Sequence, residues 1–246
     1  MNCLSLGVEL VASYIRKELE KVKKRILFLG TSVENNFQCA IRALQNNDIE
    51  LAREVKKGDL EIDKTEVSLE DHCFEVLALH QPVASDLRFL VTALKINIDL
   101  ERIGDLSVKI ADKVLLLSAS QKKINIQVDH PLVFAKLDTM FNSTIWMLNK
   151  CLDAFAQEDG ELAFRVILAD DEVDKTKNMI RSLLEETTQN EPQKSSYLGM
   201  LLSVSRSLER IADHATNICE DIIYMLEGKI VRHIIDKPEL QHEHVQ

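Results

Sequence analysis

The chain has 246 residues, of which 46% are hydrophobic and 28% are charged, and its formal net charge is −10. This balance is typical of a globular protein with one large or two small domains, and the acidic excess disfavours nucleic acid, whose phosphates it repels, as a general partner. The longest uncharged stretch, 139–149, is far shorter than the roughly twenty residues that cross a bilayer. We therefore expect a soluble protein, and five cysteines without a C-x-x-C pair indicate a reducing, cytoplasmic location.

Apolar residues recur at three- and four-residue spacing along nearly the whole chain, which contains only seven glycines and four prolines. This pattern is typical of long amphipathic helices. In chain order, it predicts helices over 8–46, 48–80, 82–118, 131–157, 159–190 and 192–228, with a polar linker at 118–130.

Residues at the ends of these segments support the same boundaries. Asp48 and Asp159 precede the second and fifth helices, where an aspartate can accept hydrogen bonds from the first helical N–H groups. Proline is favoured in the first helical turn, so Pro82, Pro131 and Pro192 predict the starts of the other helices. Gly228 is suited to a C-terminal cap.

The chain also repeats itself. A shift of 111 residues aligns 46–66 with 157–177, and a shift of 108 residues aligns LERIGDLSVKIAD at 100–112 with LERIADHATNICE at 208–220. Because short loops join the helices of each copy, three antiparallel helices per copy are expected. The predicted fold is all-α, with one three-helix bundle at 1–120, a second at 128–230 and a polar C-terminal tail at 231–246.

Each copy carries two pairs of acids spaced four residues apart, one pair on its second helix and one on its third. Residues at this spacing share a helical face, where like charges destabilise a helix by roughly 0.2–0.5 kcal/mol per pair. A bound cation would offset this repulsion, and carboxylates suit hard cations such as magnesium, calcium, manganese or iron. The eight candidate metal ligands are Asp59, Asp63, Glu101, Asp105, Asp170, Asp174, Glu209 and Asp213.

A solvated helix face is the alternative interpretation of these acids. Glu101 and Asp105 point away from the apolar stripe that contains Ile96, Leu100 and Ile103, so they are not expected in the bundle core. Recurrence of the pairs in both copies, on two adjacent helices, favours metal binding.

Three basic residues follow these acids directly. Arg102 and Arg210 come immediately after the two glutamates and are candidates either for salt bridges to nearby acids or for partner binding. His214 follows Asp213 and is either an ordinary surface histidine or a further metal ligand.

The segment QPVASDLRFLVTALKINIDLERIGDLSVKIAD at 81–112 and the second LERIAD segment resemble the PhoU family of phosphate-uptake regulators, over roughly 15–235. The resemblance implies tandem three-helix bundles that bind multinuclear metal clusters, with iron or zinc among the metals, while magnesium or manganese would also suit the carboxylates. It assigns as ligands the pairs Asp59/Asp63 with Glu101/Asp105, and Asp170/Asp174 with Glu209/Asp213.

The same resemblance implies a cytoplasmic adaptor that reaches the membrane only through its partners. These partners are the components of the phosphate ABC transporter and a sensor histidine kinase, and the expected outcome is repression of phosphate-starvation genes when phosphate is plentiful. A homodimer is the expected assembly.

One position departs from the family pattern. An asparagine is expected a few residues after the ERIGD aspartate, as at Asn217, but the first copy has Lys109. Because a lysine disfavours a nearby cation, we expect the second copy to bind metal more tightly.

The sequence lacks a glycine-rich phosphate loop, a nucleophile elbow and an H-E-x-x-H motif. We therefore predict that the chain is not an enzyme. The alternatives are a carboxylate-bridged metalloenzyme, either a hydrolase or an oxidase, and a plain helical scaffold.

Overall fold

The computed structural model describes residues 3–119 and 129–230, with side chains from Tyr14 onward. The predicted all-α fold is confirmed, since the described part of the chain contains six long helices and no strand. These helices are α1 (Cys3–Asn46), α2 (Ile49–His80), α3 (Ser85–Ala119), α4 (Pro131–Gln157), α5 (Gly160–Asn190) and α6 (Ser195–Glu227). Most of the predicted linker and the predicted tail lie outside the described residues. We call 3–119 the first half and 129–230 the second half.

The predicted caps are present. The side chain of Asp48 accepts a hydrogen bond from the Leu51 amide at 3.0 Å, and that of Asp159 accepts one from the Leu162 amide at 2.9 Å. Helix α6 ends at Gly228, whose φ of 70° is readily adopted by a residue without a Cβ.

Two helices start later than their prolines predict. Before α3, Gln81 and Ala84 adopt left-handed φ angles of 46° and 51°, so the chain turns through Pro82 and becomes helical only at Ser85. Before α6, Pro192 opens a single 3₁₀ turn, and the α-helix begins at Ser195.

The apolar stripe predicted on α3 is the core face of that helix. Ile96, Leu100, Ile103 and Ile110 are fully buried. Ser107 lies in the same stripe, and its hydroxyl donates to the carbonyl of Ile103 at 2.8 Å, which satisfies a buried polar group without a water.

The two halves pack along α3 and α6, which run antiparallel. Lys95 Nζ lies 3.0 Å from Asp221 Oδ1, and four residues further along α3, Asp99 Oδ1 lies 2.8 Å from Nδ1 of His214. Continuing this register by one turn places the LERIGD segment of α3 opposite the LERIAD segment of α6. The duplicated acidic motifs therefore lie close to the contact between the halves.

A second contact between the halves joins α1 to α4, also antiparallel. Lys23 pairs with Glu158 at 2.7 Å, and Gln45 donates to Asp138 at 2.9 Å. Between these polar contacts, Gly30 faces Leu152 so closely that a Cβ at that glycine would lie 2.5 Å from the leucine Cδ2. Among the described residues, no helix is long and apolar enough to cross a membrane.

Candidate metal centre

The acids of the first half converge where α2 and α3 run antiparallel. The amide nitrogen of Asn97 on α3 donates to the backbone carbonyl of Glu66 at 3.0 Å and to its carboxylate at 3.1 Å, which fixes the register of the two helices. In this register Asp59 lies near Glu101 and Asp105. Burial, and then the negative charges of Asp63 and these two acids, raise the pKa of Asp59 to about 6.

Two further acids extend this cluster along α2. Burial raises the pKa of Glu66, as do the charges of Glu70, Glu101 and Asp63. The pKa of Glu101 is also raised, chiefly by burial. We call these six acids the first acidic groove, which comprises Asp59, Asp63, Glu66, Glu70, Glu101 and Asp105.

One buried oxygen in the first acidic groove has no hydrogen-bond partner among the described residues. Asp59 Oδ1 is buried and accepts no hydrogen bond. It sits over Gly104, where an added Cβ would lie 2.9 Å from this oxygen. Because Gly104 has no side chain, there is room above it for the Asp59 carboxylate. The buried oxygen of this carboxylate has no contact with water and no hydrogen-bond donor in its place.

The second half places the predicted acids together in the same way, between α5 and α6. Burial and the charges of Asp213, Asp174 and other neighbouring acids raise the pKa of Asp170 to about 7. The pKa of Asp213 is raised by burial and then by Glu209. All eight predicted ligands thus fall into two clusters of four, one in each half.

A lysine neutralises part of the second cluster. Lys177 Nζ lies 2.7 Å from the Glu209 carboxylate and 3.3 Å from that of Asp174, and the hydrogen bond to Glu209 is the main cause of its raised pKa. The second groove comprises Asp170, Asp174, Lys177, Arg181, Glu209 and Asp213, which are the counterparts of the six acids in the first.

The expectation of tighter metal binding in the second copy took account of Lys109 but not of Lys177, which the structure brings to the predicted ligands. Lys109 is exposed, whereas Lys177 bridges two of the predicted ligands directly. A cation in the second groove would have to displace an ammonium group that already holds these carboxylates.

No three His, Cys, Asp or Glu side chains in the described ranges are arranged to hold a metal ion as placed. The donors of the first groove nevertheless fit a hard cation, because they are carboxylate oxygens, they repel one another, and Asp59 Oδ1 lacks a donor. Each groove also has one basic side chain that contacts two predicted ligands. Arg102 lies 3.5 and 3.6 Å from Glu101 and Asp105, and Lys177 lies 2.7 and 3.3 Å from Glu209 and Asp174, so the contact is closer in the second groove.

Comparison with known proteins identifies the family. The model of the PhoU domain matches this chain twice, at 26–114 and at 137–222. The chain belongs to the PhoU family. It is 33% identical over 235 residues to the phosphate-specific transport system accessory protein PhoU of Escherichia coli, with 95% of this chain and 93% of that protein covered. It is 32% identical over 222 residues to PhoU homolog 1 of Thermotoga maritima, with 90% and 93% covered.

A solved structure supports the same conclusion. The crystal structure of PhoU from Pseudomonas aeruginosa superposes with a TM-score of 0.81 at 34% identity, covering 87% of this chain and 99% of that one. The named relatives are accessory or regulatory proteins rather than enzymes, in agreement with the function class predicted from the sequence.

Several residues of the two grooves were not identified from the sequence. The 111-residue shift aligns Glu66 with Lys177. The opposite charges of these two residues could have indicated from the sequence that the two grooves differ in charge. Glu70 and Arg181 are aligned in the same way. Asp99 carried no such signal, because only the packing of α3 on α6 brings it to His214.

The basic residues next to the motifs have different surroundings. Arg102 forms ion pairs with Glu101 at 3.5 Å and with Asp105 at 3.6 Å. These contacts match the first of its two predicted roles, a salt bridge to nearby acids. Arg210 is exposed. His214 is not an ordinary surface histidine, since it is half-buried and bound to Asp99 of the other half.

Proposed function

We propose that this chain regulates phosphate uptake as an accessory protein of a phosphate ABC transporter. The observation that supports this role most is the double match to the PhoU domain together with relatives, aligned over nine-tenths of the chain, whose names describe phosphate-specific transport accessory proteins. A rigid helical body without an enzyme motif suits an adaptor.

In this proposal the chain acts at the cytoplasmic face as a homodimer, and it reaches the membrane through the transporter and a sensor histidine kinase. It represses phosphate-starvation genes while phosphate is plentiful. Loss of an inhibitory adaptor leaves the kinase signalling as though phosphate were scarce, whereas loss of an enzyme would leave its substrate to accumulate.

Deletion of the gene tests the regulatory role. We expect alkaline phosphatase or another starvation reporter to rise in phosphate-rich medium, and the intact gene to restore repression. Normal reporter output after deletion would overturn the proposal. Substitution of the exposed Arg210 by Ala should weaken binding to the transporter or the kinase while leaving metal content unchanged. Arg102→Ala tests the same role, but it also removes the guanidinium that contacts Glu101 and Asp105.

We further propose that the first acidic groove binds metal as part of this function. Iron, zinc, manganese or magnesium could be held by Asp59, Asp63, Glu101 and Asp105, and the charge of the ion would offset the repulsion among the carboxylates. A metal cluster changes local charge by several units, which would alter the surface offered to a partner. In the second half, the corresponding ligands Asp170, Asp174, Glu209 and Asp213 would bind metal more weakly because of Lys177.

Paired double variants distinguish the two grooves. Glu101→Ala with Asp105→Ala should remove most of the bound metal, and the matched control, Glu209→Ala with Asp213→Ala, should remove little. Metal content is measured by elemental analysis after purification from medium supplemented with iron, zinc and manganese. If the first variant keeps all its metal, the acids of that groove form only a solvated face.

A further inference from the structure

The first half exposes a row of apolar side chains on α2. Leu60, Val67 and Phe74 are spaced seven residues apart and are between 52% and 59% exposed. Residues at this spacing lie on one helical face. Leu60 directly follows Asp59, so the row runs along α2 beside the first acidic groove.

A second exposed apolar row lies on α3. Leu87, Val91 and Ile98 are between 36% and 48% exposed. Ile98 precedes Glu101 by three residues and Asp105 by seven, so this row continues the line of the two acids along the helix. The two rows and the first acidic groove together form what we call the outer face of the first half.

The second half shows that the fold does not require these apolar residues. At the positions that correspond to the α2 row, α5 has Asp171, Asn178 and Glu185. At those that correspond to the α3 row, the second half has Ser195, Gly199 and Arg206. The same helices are therefore built without an apolar side chain at any of the six positions. An exposed apolar surface beyond the needs of the fold is typical of an interaction site.

Charge decides what can cover the outer face. A symmetric contact with a second copy would bring the acidic grooves of both copies into one interface, with only partial relief from Arg102 of each copy. An anionic lipid surface would be repelled by the same groove. A partner that matches both features carries apolar side chains for the rows and basic side chains for the groove.

The geometry fits a helical segment. At 1.5 Å per residue, the row from Leu60 to Phe74 is about 21 Å long, which equals about four turns of a partner helix. An amphipathic helix laid on such a surface presents its anchors at three- and four-residue intervals. We propose that the outer face of the first half binds a basic amphipathic helix of a partner protein. Basic side chains and the metal ion proposed above would compete for the same carboxylates, so this binding is expected of the metal-free chain.

A model peptide tests the recognition chemistry. We would use a fluorescein-labelled 18-residue amphipathic helix of Leu and Lys, and measure anisotropy against the full chain at physiological salt with a chelator present. We expect saturable binding, with protection of α2 and α3 from hydrogen exchange. A peptide with Glu in place of Lys, and one with Ala in place of Leu, should each bind at least tenfold more weakly. Equal binding of these peptides would overturn the proposal.

Variants that copy the second half locate the site. Val67→Asn and Phe74→Glu introduce the residues found at the corresponding positions of α5, and each should weaken peptide binding at least tenfold. Glu66→Lys with Glu70→Arg should do the same through charge alone. Met179→Asn, which removes an exposed apolar side chain of the second half, should leave the affinity unchanged.

Other occupants give different results. If Val67→Asn dissociates a dimer in sedimentation without changing peptide affinity, a second copy covers the face and the proposal is wrong. Binding of the intact chain to phosphatidylglycerol vesicles, lost in the same variant, would also overturn it. Thermal unfolding establishes that each variant is folded. Leu87→Ser changes the row on α3 independently of α2, and it should also weaken peptide binding.

Discussion

The first half and the second half each have three long helices, with an aspartate cap before the second of them, but they present different surfaces. Six acids line the first groove, whereas four acids, Lys177 and Arg181 occupy the corresponding positions of the second. The groove of the first half is bordered by exposed apolar rows, and the corresponding positions of the second half have polar side chains or, at one position, glycine. One bundle architecture therefore supports two chemically different surfaces, because residues outside the core are not constrained by packing.

The interiors of the halves also differ at matched buried positions. Cys151 and Cys219 are both completely buried in the second half, and their counterparts in the first, Ala40 and Ala111, are equally buried. Phe155 is likewise the counterpart of Leu44. The helices can therefore keep their positions while the volumes at matched sites change.

The largest effect is expected at Phe155. Its ring is fully buried and stacks on Phe89 of the first half, with ring centroids 6.1 Å apart. Phe155→Ala should lower the free energy of unfolding by about 3–5 kcal/mol, since it removes a large buried side chain and leaves a cavity. The counterpart, Leu44→Ala, should cost at most about 2 kcal/mol because Leu44 is only partly buried. Urea unfolding measures both, and equal costs would show that the halves do not depend on this contact.

A charge exchange tests whether one residue makes the grooves different. Lys177→Glu should raise the affinity of the second groove for Mn²⁺ about tenfold, or about 1.4 kcal/mol, because it removes the ammonium that holds Glu209. Glu66→Lys should lower the affinity of the first groove by a similar factor. Calorimetry with the chelator-treated chain gives the stoichiometry and affinity of each variant. Unchanged titrations would mean that Lys177 does not control metal binding.

A smaller effect is expected from neutralising Asp59. Its pKa is raised from 3.8 to about 6, so between these values the folded chain binds more protons than the unfolded chain, and stability falls as pH rises. Asp59→Asn should therefore stabilise the metal-free chain at pH 7.5 by about 1 kcal/mol, after discounting for partial exposure, and have almost no effect at pH 4.

Thermal unfolding across this pH range, with a chelator present, measures the effect of Asp59→Asn. Asp170→Asn is the matched variant, and it should stabilise at least as much because the pKa of Asp170 is raised to about 7. A gain in stability that is the same at pH 4 and pH 7.5 would contradict the electrostatic cause.

Much of this molecule follows from local sequence signals. Spacing of three and four residues placed the apolar stripe of α3 correctly, and Asp48, Asp159 and Gly228 cap helices as predicted. The duplication predicted two bundles and the two clusters of four acids. These features can be predicted from the sequence because helix periodicity and capping depend on residues close in the chain. The repeat is found by comparing segments of the chain directly.

Only the tertiary structure decided which charges share a groove and which residues join the halves. Lys177 reaches Glu209 because α5 packs on α6, and His214 reaches Asp99 because α6 packs on α3. The predicted ranking of the metal sites was based on Lys109 alone and did not include Lys177, because one-dimensional spacing does not give the rotation and register of neighbouring helices. Those two quantities are set by side-chain packing between helices, and they determined the chemistry of both grooves.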